Sequence, residues 1–164
     1  MNLIYYNEFA YELLERLLVA SFKGKLVYIG INENNINDVA CMTSLKVKKD
    51  INSNKEAISQ IKEYLARERK TFNIETEFLI GSEFQRKVWN ELAKIPYGKT
   101  ISYKQLANNI GNPNASRAVG NANSKNPIPV IFPCHRVINS DGGLGGFSGG
   151  VKIKEFLLNL EFAN

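Results

Sequence analysis

Histidine is all but missing from this sequence: 164 residues contain one, His135, and it directly follows Cys134, one of only two cysteines. Two cysteines, the other being Cys41, cannot build a disulfide framework, so the chain suits a reducing compartment. Tetrahedral zinc draws on about four Cys, His or acidic ligands, and one histidine with two scattered cysteines does not supply the usual sets. No metal site is expected. Long apolar runs are missing too. None approaches the roughly 18 residues of a membrane helix, and the stretch from Met1 to Glu8 carries no secretory signal pattern. A cytoplasmic protein with no membrane partner is the expectation.

What is present describes an ordinary globular chain, 44% hydrophobic and 23% charged, long enough for one large domain or two small ones. The formal charge of +5 is unevenly placed. Residues 1–75 carry 11 basic and 10 acidic side chains, whereas residues 76–164 carry 10 and 6. A positive excess in the half with fewer acids points toward a polyanionic partner, although surface lysines alone produce the same excess.

Periodicity organises the first half. "ERLLVASFKGKLVYIGIN" reads as two strands joined at Lys23-Gly24. "NENNIND" and "KVKKDINSN" read as polar, turn-rich connections around a short apolar element holding Cys41, which is expected to be a buried, inert thiol. "NKEAISQIKEYLARER" places Ile58, Ile61 and Leu65 on one helical face. "KTFNIETEFLIG" has no helical period and reads as an extended connection. The expected fold is a small α/β lobe, an antiparallel sheet plus a helix, over residues 1–78. A mostly α domain with a helix-turn-helix follows over 79–164.

The second half carries sharper signals. "SEFQRKVWNELAKI" opens with the capping-box pair Ser82 and Gln85 and aligns Phe84, Val88, Leu92 and Ile95. "SYKQLANNIG" repeats the device with Ser102 and Gln105, and Gly111 is placed to end that helix. After a short turn, "ASRAVGNANSK" reads as another helix, completing a helix-turn-helix outline that any helical bundle could also contain. Ala115, Ser116, Ala118, Gly120 and Ala122 are all small on this last helix, and Arg117 is its one long side chain. Close packing against a neighbouring helix explains such a face. So does close approach to a DNA minor groove, with the arginine protruding into it or into a gap left by an extruded nucleotide.

Cys134 stands between two readings. Most free cysteines are buried and inert, and neighbouring side chains in an extended segment point apart. Reactivity requires a base, a positive charge or a helix N-terminus to favour the thiolate, together with access for the electrophile. Pro127, Pro129 and Pro133 stiffen the approach and place Cys134 where the apolar strand "PVIF" is expected to turn.

At this point "IPVIFPCHRVI" resembles the active-site signature of the O6-alkylguanine-DNA alkyltransferases. The likeness runs from "FQRKVW" at Phe84 to "KEFLLNLE" at Glu161 and includes "SYKQLA", "GNPNASRAVG" and "GFSGG". The resemblance implies that Cys134 takes an alkyl group from O6 of guanine by in-line displacement, that His135 relays the thiol proton through a water, and that Glu161 orients the imidazole. From the residues alone, Glu161 is no better a choice than Asp141 or Glu155. The resemblance also implies that Arg117 replaces the extruded base, Tyr103 crowds its phosphate, and Asn126 ties the recognition helix to the active-site strand. Ala115, Ser116 and Gly120 would face the minor groove. The main chains of Cys134 and Val137 would accept from the guanine amine, and Ser148 would close over the base. The implied partner is double-stranded DNA containing O6-alkylguanine, bound by a monomer without cofactor, at the nucleoid of a prokaryote or in the nucleus of a eukaryote. Each molecule would act once, because nothing in the sequence suggests a group that cleaves the resulting thioether, and the added alkyl group is expected to overpack its pocket. Two other readings stand beside it: a non-enzymatic sensor of alkylated DNA, against which the presence of Cys134 argues, and a thiol hydrolase, which leaves Arg117 and its small-faced helix unexplained.

Phe147 departs from the family pattern that the resemblance implies, in which this position is usually a tyrosine. A phenyl ring keeps the apolar wall but cannot donate to the leaving guanine. A hydrogen bond to a charged group contributes about 1.5–3 kcal/mol, so Phe147→Tyr should raise the single-turnover rate roughly ten- to hundredfold. Rapid-quench kinetics on an alkylated duplex checks this, and an unchanged rate would refute it.

Overall fold

The computed structural model describes residues 2–32 and 36–162 and divides into two compact units, Met1–Ile80 and Gly81–Asn164. Residues 33–35, inside the polar connection expected after the hairpin, lie outside the described residues.

The first unit is a four-stranded sheet of order β3-β2-β1-β4. Strands β1 (Leu3–Tyr11), β2 (Leu14–Phe22) and β3 (Lys25–Ile31) form antiparallel hairpins. The second turns at Lys23-Gly24 as the sequence suggests, with φ of 50° and 80°, the positive pair that matches strand twist. The sheet is mixed rather than antiparallel, because β4 (Lys46–Lys49) pairs parallel with β1. "KVKK" was expected to be a turn. Its alternation is weak, but at the sheet edge a short lysine-rich strand is favoured, since charge there discourages pairing with other chains. The first strand was not foreseen at all. Leu17 to Ala20 are fully buried, as befits a central strand covered on both faces. One face, with Ile4, Leu18 and Ala20, receives Ile36 and Val39 of α1 (Ile36–Thr43). Phe9 and Tyr11 on the other meet Lys62 and the Leu65 carbonyl of α2 (Lys55–Leu65). Cys41 lies on the outer side of α1 and is exposed, contrary to the expectation of a buried thiol. The extended stretch after α2 lies alongside β3, exchanging main-chain bonds between Leu26 and both Glu75 and Glu77.

In the second unit α3 (Glu83–Leu92) and α4 (Tyr103–Asn109) each begin with a complete capping box, from Ser82/Gln85 and Ser102/Gln105. Each box satisfies two main-chain donors that would otherwise be orphaned. Helix α5 (Ser116–Ser124) packs on both, and the indole of Trp89 donates to the Ala122 carbonyl at 2.8 Å, fixing α3 to α5. Two-residue strands β5 (Ile101–Ser102) and β6 (Val137–Ile138) pair in parallel, and α6 (Val151–Phe162) closes the unit. No helix among the described residues is long and apolar enough to cross a membrane.

Gly81 enters this unit at φ +110°, and a Cβ there would stand 2.4 Å from the buried Trp89 ring. Trp89 is held by its hydrogen bond and cannot step aside. Gly81→Ala should therefore destabilise the protein by about 2–4 kcal/mol, combining left-handed backbone strain with overpacking. A lower urea midpoint at unchanged slope is the expected signature.

Candidate active site

The approach to Cys134 is built by Asn126. Its carboxamide donates to the Phe132 carbonyl at 2.7 Å and accepts from the Ile128 main chain at 3.0 Å, closing residues 126–132 into a compact loop. The apolar run expected to be a strand is thus a turn: two prolines remove ladder donors, Val130 sits at φ +74°, and the Phe132 amide bonds back to Ile128. Residues Cys134–Arg136 then form one 3-10 turn. With three residues per turn, successive side chains diverge by about 120°, so the thiol and the imidazole leave the backbone in different directions.

The imidazole direction is taken up by α6. Four donors converge on the Glu161 carboxylate: His135 Nε2 at 2.6 Å, Arg136 Nε at 2.8 Å, Arg136 Nη2 at 3.0 Å and the Gly98 amide at 3.1 Å. A carboxylate presents about four lone-pair directions, so this constellation uses its capacity. Because an ionised carboxylate only accepts, the shared proton belongs to Nε2, which makes Nδ1 the basic nitrogen of a neutral ring. Arg136 further donates to the Ile95 carbonyl at 2.6 Å and lies over the Tyr97 ring.

Burial sets the protonation states. It pushes the Cys134 thiol up to about 11, against smaller lowering effects from the Asn126 carboxamide and the Lys154 charge. Burial also lowers His135 below its ordinary value, a shift that Glu161 opposes and that the positive charges of Arg136 and Lys154 reinforce. Both groups are therefore neutral near pH 7. Lys154 is brought down to about 8 by desolvation, partly offset by attraction to Cys134. Its ammonium donates to the carbonyls of Val137 at 2.6 Å and Gly146 at 3.2 Å and lies near the Tyr103 ring.

Cys134, His135 and Glu161 thus belong to one buried cluster. Tyr103 is half-buried at the start of α4, with its hydroxyl pushed up by burial and by the Cys134 charge. It packs beside Gly120 of α5 and against Gly145, where a Cβ would stand 3.0 Å from its ring. Val137 is buried with its carbonyl bonded to Lys154. Arg117 is exposed, and Ala115 and Ser116 are half-exposed at the start of α5. Phe147 is half-buried; Ser148 is exposed, and its hydroxyl makes no hydrogen bond among the described residues.

Three polar residues of the site were missed. Arg136 and Asn123, whose carboxamide donates to the Cys134 carbonyl at 3.3 Å, left no recognisable trace in the sequence. Lys154 did: with Leu157, Leu158 and Glu161 it lies on the buried stripe of α6, and a charge at such a position must be partnered.

The sequence profile described as "6-O-methylguanine DNA methyltransferase, DNA binding domain" matches residues 83–163. A methylated-DNA–protein-cysteine methyltransferase of Methanosarcina acetivorans is 54% identical over 107 residues, 65% of this chain and 68% of that protein. Among solved structures, the Mycobacterium tuberculosis OGT in complex with DNA is 36% identical, with a TM-score of 0.87 over 97% of this chain and 93% of that one. The O6-methylguanine-DNA methyltransferase of Pyrococcus kodakaraensis is 25% identical, with a TM-score of 0.75 over 96% and 98%.

Removing one partner of a buried ion pair costs about 3–5 kcal/mol, because the other charge stays buried and unmatched. Glu161→Gln should lower stability by about that much, and Arg136→Met added to it should recover a large part. Activity should not return with stability, since His135 still lacks its carboxylate. Denaturant midpoints and reaction rates measured on the same three proteins test this separation.

Proposed function

The chain belongs to the 6-O-methylguanine-DNA methyltransferase family, and from that premise we propose that it repairs DNA by moving an alkyl group from O6 of guanine onto Cys134. The observation that carries this assignment to the residue is the buried chain of contacts running from the His135 ring to Glu161 and Arg136, directly after the only buried cysteine among the described residues.

A thiol with a pKa near 11 is a poor nucleophile at pH 7, so the reaction requires a base. The Sγ proton passes to Nδ1 of His135 through a water. The imidazolium that forms is stabilised by Glu161 at 2.6 Å. Lys154, already positive, faces the developing thiolate. The sulfur lone pair then attacks the alkyl carbon in line, the carbon–O6 bond breaks, and its electrons leave on guanine, which takes up a proton. The product is a thioether, and nothing in the cluster is suited to cleave it, so each molecule reacts once without a cofactor.

Delivery of the base follows from the rest of the second unit, residues 79–164 in the division proposed from sequence. Helices α4 and α5 act as a helix-turn-helix, with Ala115, Ser116 and Gly120 toward the minor groove. A protein bound there reaches the duplex without the bulk of long side chains, and exposed Arg117 is free to fill the space an extruded nucleotide leaves. Tyr103, rigid against two glycines, crowds the nucleotide's phosphate. The carbonyls of Cys134 and Val137 receive the guanine amine, the Cys134 oxygen beside the Asn123 carboxamide and the Val137 amide from which it already accepts, and the Val137 oxygen beside the Lys154 ammonium. Ser148 closes over the base from the glycine-rich loop. The protein acts as a monomer.

Mixing with a duplex containing one O6-methylguanine should add a single methyl to Cys134, saturating at one per protein and absent from Cys134→Ser, as read by intact and peptide mass spectrometry. Because His135 is lowered from 6.5, its basic form persists on mild acidification. The rate should therefore fall only below pH 6.5, as the ring becomes protonated and loses its capacity to accept. An acid limb above that value, or methylation elsewhere, would overturn the assignment.

A further inference from the structure

Arg136 is buried, and no step of the reaction above moves a proton to or from it. It nevertheless takes the larger share of Glu161. Its Nε donates to Oε1 at 2.8 Å and its Nη2 to Oε2 at 3.0 Å, a fork that engages both carboxylate oxygens. His135 reaches only Oε2, at 2.6 Å. The fork is fixed from its far side, where Nη1 donates to the Ile95 carbonyl at 2.6 Å and the guanidinium lies 5.7 Å from the centre of the Tyr97 ring. The side chains of His135 and Glu161 have no solvent exposure and that of Arg136 has 7%. In such a place the balance of charge decides which groups hold protons.

A guanidinium keeps its charge at every accessible pH. With Arg136 in place the carboxylate is already neutralised, so a second proton on the imidazole would leave the buried group with a net positive charge. Without Arg136 the same proton would turn an unmatched buried carboxylate into a neutral ion pair, and the ring would hold it. The carboxylate thus decides which nitrogen carries the ring's proton, and the guanidinium decides that the ring carries only one. Other groups around the ring do not replace it. Lys154 of α6 adds positive charge but spends its ammonium on the carbonyls of Val137 and Gly146. The Cys134 thiol is held neutral by burial. Helix α3 also packs on this turn, and its buried residues, Val88, Trp89 and Leu92, are apolar. Burial is the first influence lowering His135, and the charges of Arg136 and Lys154 act with it against Glu161. Resting on the alkyl-transfer reading above, we propose that Arg136 is a positioning residue that keeps His135 a neutral base, by occupying the carboxylate charge that would otherwise hold a second proton on the ring.

Because the chain has a single histidine, the ring is directly readable: nitrogen-15 labelling of histidine gives NMR signals from this ring alone, whose shifts report which nitrogens carry protons. In the unaltered protein the ring should titrate below 6.5, its ordinary value, with the proton on Nε2. In Arg136→Gln, which keeps hydrogen-bond donors but loses the charge, it should titrate above 6.5. Arg136→Lys restores the charge and should bring the titration back below that value. The second reading is single-turnover methyl transfer to Cys134 from an O6-methylguanine duplex. The rate of Arg136→Gln relative to the unaltered protein should rise about tenfold between about pH 6.5 and pH 9, as its ring regains the basic form. Lys154, at about 8, loses its proton over the same interval in both proteins and cancels in the ratio. An arginine that only held the fold would lower the rate by one factor at every pH. A ring that still titrates below 6.5 in Arg136→Gln, or a ratio that does not change with pH, would overturn the proposal. Should Arg136→Gln not fold, the unaltered protein decides, because a ring doubly protonated at pH 7 is incompatible with the role. Absence of methyl transfer by the unaltered protein ends the alkyl-transfer reading and the role within it, whereas the ring titration still shows whether Arg136 sets its charge.

Discussion

The carboxylate of Glu161 is the point on which the second unit turns. It gathers donors from the His135 ring of the 3-10 turn, from the Gly98 main chain and from one edge of the Arg136 guanidinium, all within 3.1 Å. Arg136 extends the tie to the end of α3 through the Ile95 carbonyl. Three segments distant in sequence are thereby held at one place, with the imidazole among them. Buried ions are expensive to desolvate, and apolar residues of the same size would hold the segments as well or better. What they could not do is fix the tautomer of His135.

The same burial that orders the cluster makes its nucleophile inert at rest. Desolvation raises the thiol and lowers the histidine, so neither is charged until a proton moves between them. Lys154 is the exception, a cation whose ammonium is tied to carbonyls of Val137 and Gly146. In the proposed mechanism its placement lets the thiolate form next to a positive charge already present, while the imidazolium forms next to Glu161. Charge separation in a poorly solvated place is otherwise prohibitive. Each half of the proposed pair has its counter-ion built in, Lys154 for the thiol and Glu161 for the imidazole.

Helical elements were legible because their signals are local. The capping boxes at Ser82 and Ser102 announce α3 and α4 by residue type and spacing alone, and the structure has both complete. The hairpin at Lys23-Gly24 was equally explicit. Elements that depend on distant partners were not legible. Strand β1 lacks clear alternation, and β4 becomes a strand only because β1 offers it an edge. "PVIF" has strand composition, yet the clamp of Asn126 on Phe132 bends it into a turn. In the site, Cys134 and His135 were visible from their scarcity. Glu161 could not be told from Glu155 by residue type, but the helical period of α6 separates them: Glu155 falls on the exposed side, while Glu161 shares the buried stripe with Lys154. Arg136 and Asn123 act through geometry that exists only once the chain is folded.

The small-residue face of α5 admitted two explanations, and packing accounts for its inner side. Val119 and Ala122 are buried, and Ala122 offers its carbonyl to Trp89, so this side serves packing. Gly120 stands beside Tyr103, with an ordinary contact distance of 3.7 Å for an added Cβ, and Gly145 leaves no such room on the ring's other side. Tyr103 is thus held between α5 and the glycine-rich loop. Arg117 and Ala118 face outward, free of that packing. A helix that spends its small residues on a tyrosine clamp inside and carries a lone arginine outside couples a surface contact to the buried site within two turns of backbone. Asn123 on the same helix bonds the Cys134 carbonyl directly, so displacement of α5 would be felt at Tyr103 and at the main chain of Cys134 together.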